Sequence, residues 1–319
     1  MKAMVLTGKN RLELQDLPKP ELHQEGVIVK VEATAICNAT DLRIIDADDP
    51  TTVWPNKSWP FVLGHEVCGR IVEVGDKVEG WKVGDRIAGW CPPYGGFAEY
   101  CQMYPDYMAA VVPPDGMPAD IAAMFELSIG TSRYFIPEAV MNVVKNAENA
   151  LITGLGPSGL LYIQECGLMG IKNVYASGNH TVRRKIAEKL GAREVFKPAD
   201  DFFAVLKDRG IQMDVIVDTT GQDMLDDFLR VIKPGGVLIP FGVGFDWNVA
   251  APKLESKGVV VSSSSIAEGR LVAPKVLDWL SRGELAVGDI ITRKIELEEL
   301  PDAFEALRRR EEIKIVVMM

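Results

Sequence analysis

The stretch "NALITGLGPSGLLYIQECGLMG" limits what this chain can fold into more than any other part of it. An apolar run ends at Gly154, and Gly154-Leu155-Gly156-Pro157-Ser158-Gly159 then opens a helical pattern. Alone, G-x-G-x-x-G is a weak signal, because glycine marks many turns. Here a strand precedes it, a helix follows it and a second strand, "KNVYAS", comes about twenty residues later, which is the setting of a dinucleotide-binding βαβ unit. Gly154 permits the tight turn, Gly156 lets the backbone approach a pyrophosphate and Gly159 allows close helix–sheet packing. The helix N-terminus, with Pro157 and Ser158 in its first turn, offers unpaired N–H groups and a positive dipole end to that pyrophosphate.

The second strand of an NAD-binding unit is expected to end in a carboxylate for the ribose 2′-OH. This one ends in Ser177-Gly178-Asn179-His180, with Arg183 and Arg184 close behind. Without the carboxylate there is no repulsion against a 2′-phosphate, and Asn179, His180 and the two arginines, Arg183 and Arg184, supply donors for one. NADP(H) is therefore favoured over NAD(H). Arg183 and Arg184 also fit a plain solvated helix face.

From about residue 129 onward, short apolar runs such as "MDVIVDTTG", "GGVLIPFG" and "GVVVSSS" alternate with helical patterns. That alternation implies a parallel sheet covered on both faces. The first 128 residues have another rhythm. "GVIVKVEATAI" and "CGRIVEVGDKV" are β-branched runs punctuated by glycine and Gly-Asp turns, so this half reads as mainly β. The closing "IKIVV" strand is expected to return to the first domain.

The net charge of -10 argues against nucleic-acid or anionic-membrane partners. No apolar run reaches the length of a membrane span and no signal-peptide pattern opens the chain. Five cysteines (Cys37, Cys68, Cys91, Cys101, Cys166) are an odd number for a disulfide framework, so free thiols in a reducing cytoplasm are expected.

Among the three histidines, His65 is the main candidate for a nitrogen ligand. It lies in "GHEVCGRIVEVGDKV", beside Glu66, while Cys37 follows an earlier strand in "TAICNATDLR". The spacing of Gly64-His65-Glu66, Gly69, Gly75 and Val78 resembles the zinc signature of the medium-chain alcohol and polyol dehydrogenases. The likeness runs in order through "GGFAEY", the glycine-rich turn, "DVIVDTTG" and the final helix–strand return.

The resemblance implies an α/β protein: a GroES-like, mainly β catalytic domain over 1–128 and 267–319, and a Rossmann doubly wound domain over 129–266. It implies one catalytic zinc held by Cys37, His65 and Glu126, with Glu66 as an alternative ligand and Asp41 fixing the His65 ring. Thr131 joins the cofactor-binding candidates. A small alcohol or carbonyl substrate and a homodimer or homotetramer are expected with it.

Two departures from the family pattern matter. The loop that carries four cysteines for a second, structural zinc in many relatives is reduced here to "WCPPY", so one zinc per subunit is expected. Relatives also read Cys-x-Ser/Thr-Asp, whereas this chain reads Cys37-Asn38-Ala39-Thr40-Asp41. Counted from the cysteine the relay position is Ala39, and counted back from the aspartate it is Thr40; Thr40 is taken as the proton relay, because a proton route needs a hydroxyl. Trp54, Trp59 and Trp90 are candidates for substrate contact as well as for core packing. A zinc-free quinone or enoyl reductase and a non-catalytic NADPH sensor are the competing readings.

Overall fold

The computed structural model describes residues 1–55, 57–91, 95–105, 109–244 and 246–319. The chain divides into two compact units. One comprises Met1–Leu127, Ala273–Arg282 and Val287–Met319; the other comprises Ser128–Val272 and Gly283–Ala286.

The first unit is built on antiparallel strands whose alternating apolar residues are buried. Val27–Ala35 lies between Lys314–Met318 and Glu66–Val74, and Arg86–Trp90 flanks the latter. The C-terminal strand thus returns to this sheet, with Val316 opposite Ala35. A small second sheet pairs Lys2–Gly8 with Arg11–Asp16 and Phe61–Val62. Ile36, Ile44, Leu63, Phe97, Phe304 and Ile315 form a buried core that takes in the residues flanking Cys37 and His65. Cys91 and Cys101 belong to a different apolar cluster, with Val29, Val31 and Val67.

The second unit is a six-stranded parallel sheet. Its order is Glu194–Phe196, Asn173–Ser177, Asn149–Thr153, Met213–Asp218, Ile232–Pro240, Val260–Val261. Counted along the chain this is 3-2-1-4-5-6, the doubly wound order whose direction reverses between the first and fourth strands. Strands such as Asn149–Thr153 are buried almost throughout, which explains their continuous rather than alternating apolar pattern. Among the described residues no helix is long and apolar enough to cross a membrane.

Candidate active site

In the second unit, the glycine-rich turn sits where the parallel sheet reverses direction. Gly154 has φ +93° and its N–H donates to Ser177 O at 3.0 Å, so the chain turns sharply at the end of the first parallel strand. A Cβ on Gly159 would meet Gly154 O at 2.0 Å, which shows how closely the Pro157–Leu168 helix packs on the turn. Gly156 differs: a Cβ there meets nothing within 4 Å. It is the N-cap of that helix and no side chain caps it, with proline following in the first turn. Open space in front of an uncapped helix N-terminus suits a pyrophosphate.

Asp218 closes the neighbouring strand end. Its buried carboxylate accepts from the Thr153 and Thr220 hydroxyls at 2.9 and 2.7 Å and from the Gly221 N–H at 3.0 Å. The "DTTG" motif is therefore a clasp on the reversal point.

The second-strand residues separate by role. Ser177 is buried, while Asn179 and His180 are exposed at the start of the Thr181–Lys189 helix. Arg184 donates to Gly178 O and Asn179 O at 3.1 and 2.7 Å, so it braces the turn. Arg183 lies half-buried on the same helix. Thr131 is fully buried, and its hydroxyl is hydrogen-bonded to Glu165 Oε1 at 2.6 Å and Ser128 O at 3.1 Å.

In the first unit, a sulfur, an imidazole nitrogen and a carboxylate oxygen from Cys37, His65 and Glu66 lie within 4.8 Å of one another. Two strand ends bring them together. Cys37 follows Val27–Ala35, and His65 precedes Glu66–Val74, which pairs antiparallel with it. Gly64, at φ +89°, sets the entry to His65; a Cβ there would strike Phe97 N at 2.7 Å. The Cys91 N–H then fixes His65 O at 2.8 Å.

Asp41 ties the two candidate ligands together. It is fully buried in the Thr40–Asp46 helix; Oδ2 accepts from the Cys37 N–H at 2.9 Å and Oδ1 faces His65 Nδ1 at 3.3 Å. Burial alone would push the His65 pKa down. The Asp41 carboxylate and Cys37 beside it overcome this and hold it well above the ordinary imidazole value. The Thr40 N–H donates to Cys37 Sγ at 3.4 Å.

One partner escaped the sequence reading. Lys314 Nζ lies 2.7 Å from each oxygen of Glu66 and donates to Ile36 O at 2.7 Å, with both side chains almost fully buried. The only signal was a lysine inside the apolar "IKIVV" run, and its partner is 248 positions away. Glu126 stands half-buried in the first turn of the Phe125–Ser132 helix and is not in the three-residue donor group. Trp54 and Trp90 meet edge to face at 6.2 Å, and Trp90 is opposite Glu66 in the sheet. Of "WCPPY", residues 92–94 lie outside the described residues.

A cysteine sulfur, an imidazole and a carboxylate converging in a largely buried spot form a donor set that fits zinc. Residues 23–115 match the alcohol dehydrogenase GroES-like domain, and residues 157–282 match the zinc-binding dehydrogenase family. An L-threonine 3-dehydrogenase of Shewanella sp. (strain ANA-3) is 26% identical, over 99% of each chain. Sorbitol dehydrogenase of Bacillus subtilis (strain 168) is also 26% identical, over 99% of this chain and 97% of its own. The alcohol dehydrogenase TADH from Thermus sp. ATN1 superposes with a TM-score of 0.83 at 20% identity, over 100% of this chain and 99% of its own. The chain belongs to the zinc-dependent alcohol and polyol dehydrogenase family of the medium-chain dehydrogenases, and is an oxidoreductase of the alcohol dehydrogenase type.

Proposed function

We propose that the protein is a zinc-dependent, NADP(H)-linked dehydrogenase of small alcohols or polyols and of the matching aldehydes or ketones. The observation that supports this best is the Cys37, His65 and Glu66 donor set braced by Asp41. When bound, zinc would supply Lewis-acid activation of the alcohol oxygen and NADP the hydride acceptor.

Cys37 and His65 would hold the metal. Glu126 is the third ligand that family likeness suggests, and Glu66 is the carboxylate already beside the other two. Asp41 keeps Nδ1 of His65 turned to itself and leaves Nε2 for the metal. Lys314 neutralises Glu66 and anchors its orientation. Thr40, beside the Cys37 sulfur, is placed in this reading as the hydroxyl that takes the substrate proton.

In the other unit, Gly154, Gly156, Pro157, Ser158 and Gly159 receive the pyrophosphate. Ser177, Gly178, Asn179, His180 and Arg183 take the adenosine end, where no carboxylate opposes a 2′-phosphate. One zinc per subunit, a homodimer or homotetramer and a cytoplasmic location complete the reading, on the strength of family likeness and the free thiols. Names such as L-threonine 3-dehydrogenase and sorbitol dehydrogenase among the relatives favour small polar alcohols. Steady-state assays of the purified protein on alcohols and polyols test it. A kcat/KM for NADP at least about tenfold above that for NAD is expected; a preference for NAD contradicts the cofactor assignment. Turnover that persists after zinc is stripped contradicts the metal.

A further inference from the structure

The loop between Trp54 and Phe61 carries two hydrogen-bond donors that have no acceptor among the described residues. Lys57 is half-buried, and its ammonium makes neither a hydrogen bond nor an ion pair; Nζ lies 5.8 Å from the Phe61 ring centre. The indole Nε1 of Trp59, two residues on, is buried and also without a partner. The acids that precede the loop in the sequence are engaged elsewhere. Asp46 pairs with Arg308, Asp48 with Lys9, and Asp49 accepts from the Thr51 N–H. Burial pushes the Lys57 pKa down, against a weaker opposing pull from Cys91.

Leaving a half-buried ammonium and a buried N–H without acceptors costs stability, so such groups are usually paired. The loop also shares its packing with the segments that carry the donor cluster. Trp54, Trp59 and Phe61 pack on the core that contains Ile36 and Leu63, next to Cys37 and His65. The ring of Trp54 meets Trp90, opposite Glu66, and the Cys91 N–H holds His65 O.

We infer that Lys57 and Trp59 form an oxyanion subsite, so that the preferred alcohol substrate carries a carboxylate or phosphate group. This deepens the proposed dehydrogenase reading and rests on it for the word substrate. The subsite itself rests on the two unpartnered donors and on the packing their loop shares with the segments that carry the cluster. In a protein of net charge -10, a local cation of this kind is a selective feature rather than general attraction for anions.

The test is calorimetric titration of the zinc-loaded protein with two matched pairs of probes. These are 4-(hydroxymethyl)benzoate against benzyl alcohol, and glycerol 3-phosphate against glycerol. At least one anionic member is expected to bind on the order of tenfold or more tightly than its neutral twin, as charged hydrogen bonds allow. Which pair shows the larger ratio distinguishes carboxylate from phosphate. The ratio collapses towards one in Lys57→Met, falls in Trp59→Phe and survives in Lys57→Arg. Equal binding within both pairs in the wild type, or a ratio unchanged in Lys57→Met, overturns the inference. NADP reduction in the same samples reports separately on the dehydrogenase reading. An anion preference without turnover leaves the subsite standing and sinks that reading.

Discussion

The two candidate sites are built in opposite ways. The turn at Gly154–Gly159 works through backbone: a positive φ, an uncapped helix N-terminus and an open face at Gly156. The Cys37–His65–Glu66 cluster works through side chains, drawn from separate segments and braced by Asp41 and Lys314. The first is written in consecutive residues. The second exists only once a sheet has brought distant segments together, and it depends on charges held away from water.

This contrast orders the expected effects. The largest is at the cluster: Cys37→Ser should reduce turnover to background in steady-state assays while the circular dichroism spectrum stays that of the wild type. Retained turnover would place the reacting centre elsewhere. Next comes Lys314→Met, which leaves Glu66 buried without its counter-charge. Breaking a buried pair from one side costs about 3–5 kcal/mol, read by urea unfolding. Adding Glu66→Gln should recover part of this, and no recovery would mean that the loss was packing alone.

The backbone site should respond more moderately. Gly159→Ala forces a methyl against Gly154 O, with an expected loss of about 1–3 kcal/mol and weaker binding of NADP. Gly156→Ala meets no protein atom, so it should cost at most the roughly 0.5–1 kcal/mol of a poorer N-cap, less than Gly159→Ala, and mainly weaken the dinucleotide. If both glycine variants lost stability equally, the open face at Gly156 would not be a ligand site.

A pH effect, separate from this ordering of variants, concerns Glu165, a buried acid in the cofactor-type unit that accepts from the Thr131 and Ser132 hydroxyls at 2.6 and 2.7 Å. Burial raises its pKa from 4.5 to about 8, although the two hydroxyls pull the other way. Between those values the folded protein keeps a proton that the unfolded chain has lost. Stability from this group therefore falls as pH rises from 4.5 towards about 8, by up to about 1.4 kcal/mol per pH unit. Glu165→Gln keeps an acceptor for the hydroxyls and removes the titration. The pH dependence of Tm across that window should flatten; an unchanged slope would assign it to other groups.

Legibility in the sequence followed the same division. The parallel sheet and its glycine-rich turn could be read locally, because strand–turn–helix chemistry repeats at short range. Cys37, His65 and Asp41 were legible only because a family spacing pointed to them. Lys314 was not, since nothing near residue 66 signals a partner 248 positions away. Glu126 could be named only from likeness, and it lies outside the three-residue group. Arg184, read from its position as a donor near the cofactor, has its guanidinium bonded to the carbonyls of its own turn, a contact that only the folded turn creates.

The central claim is that Cys37 and His65 hold one catalytic zinc. Elemental analysis of the purified, dialysed protein tests it most directly, run beside His65→Ala. The account predicts about one zinc per chain in the wild type and a loss of most of it in the variant. A wild type without zinc, or a His65→Ala protein that retains it in full, would contradict the account.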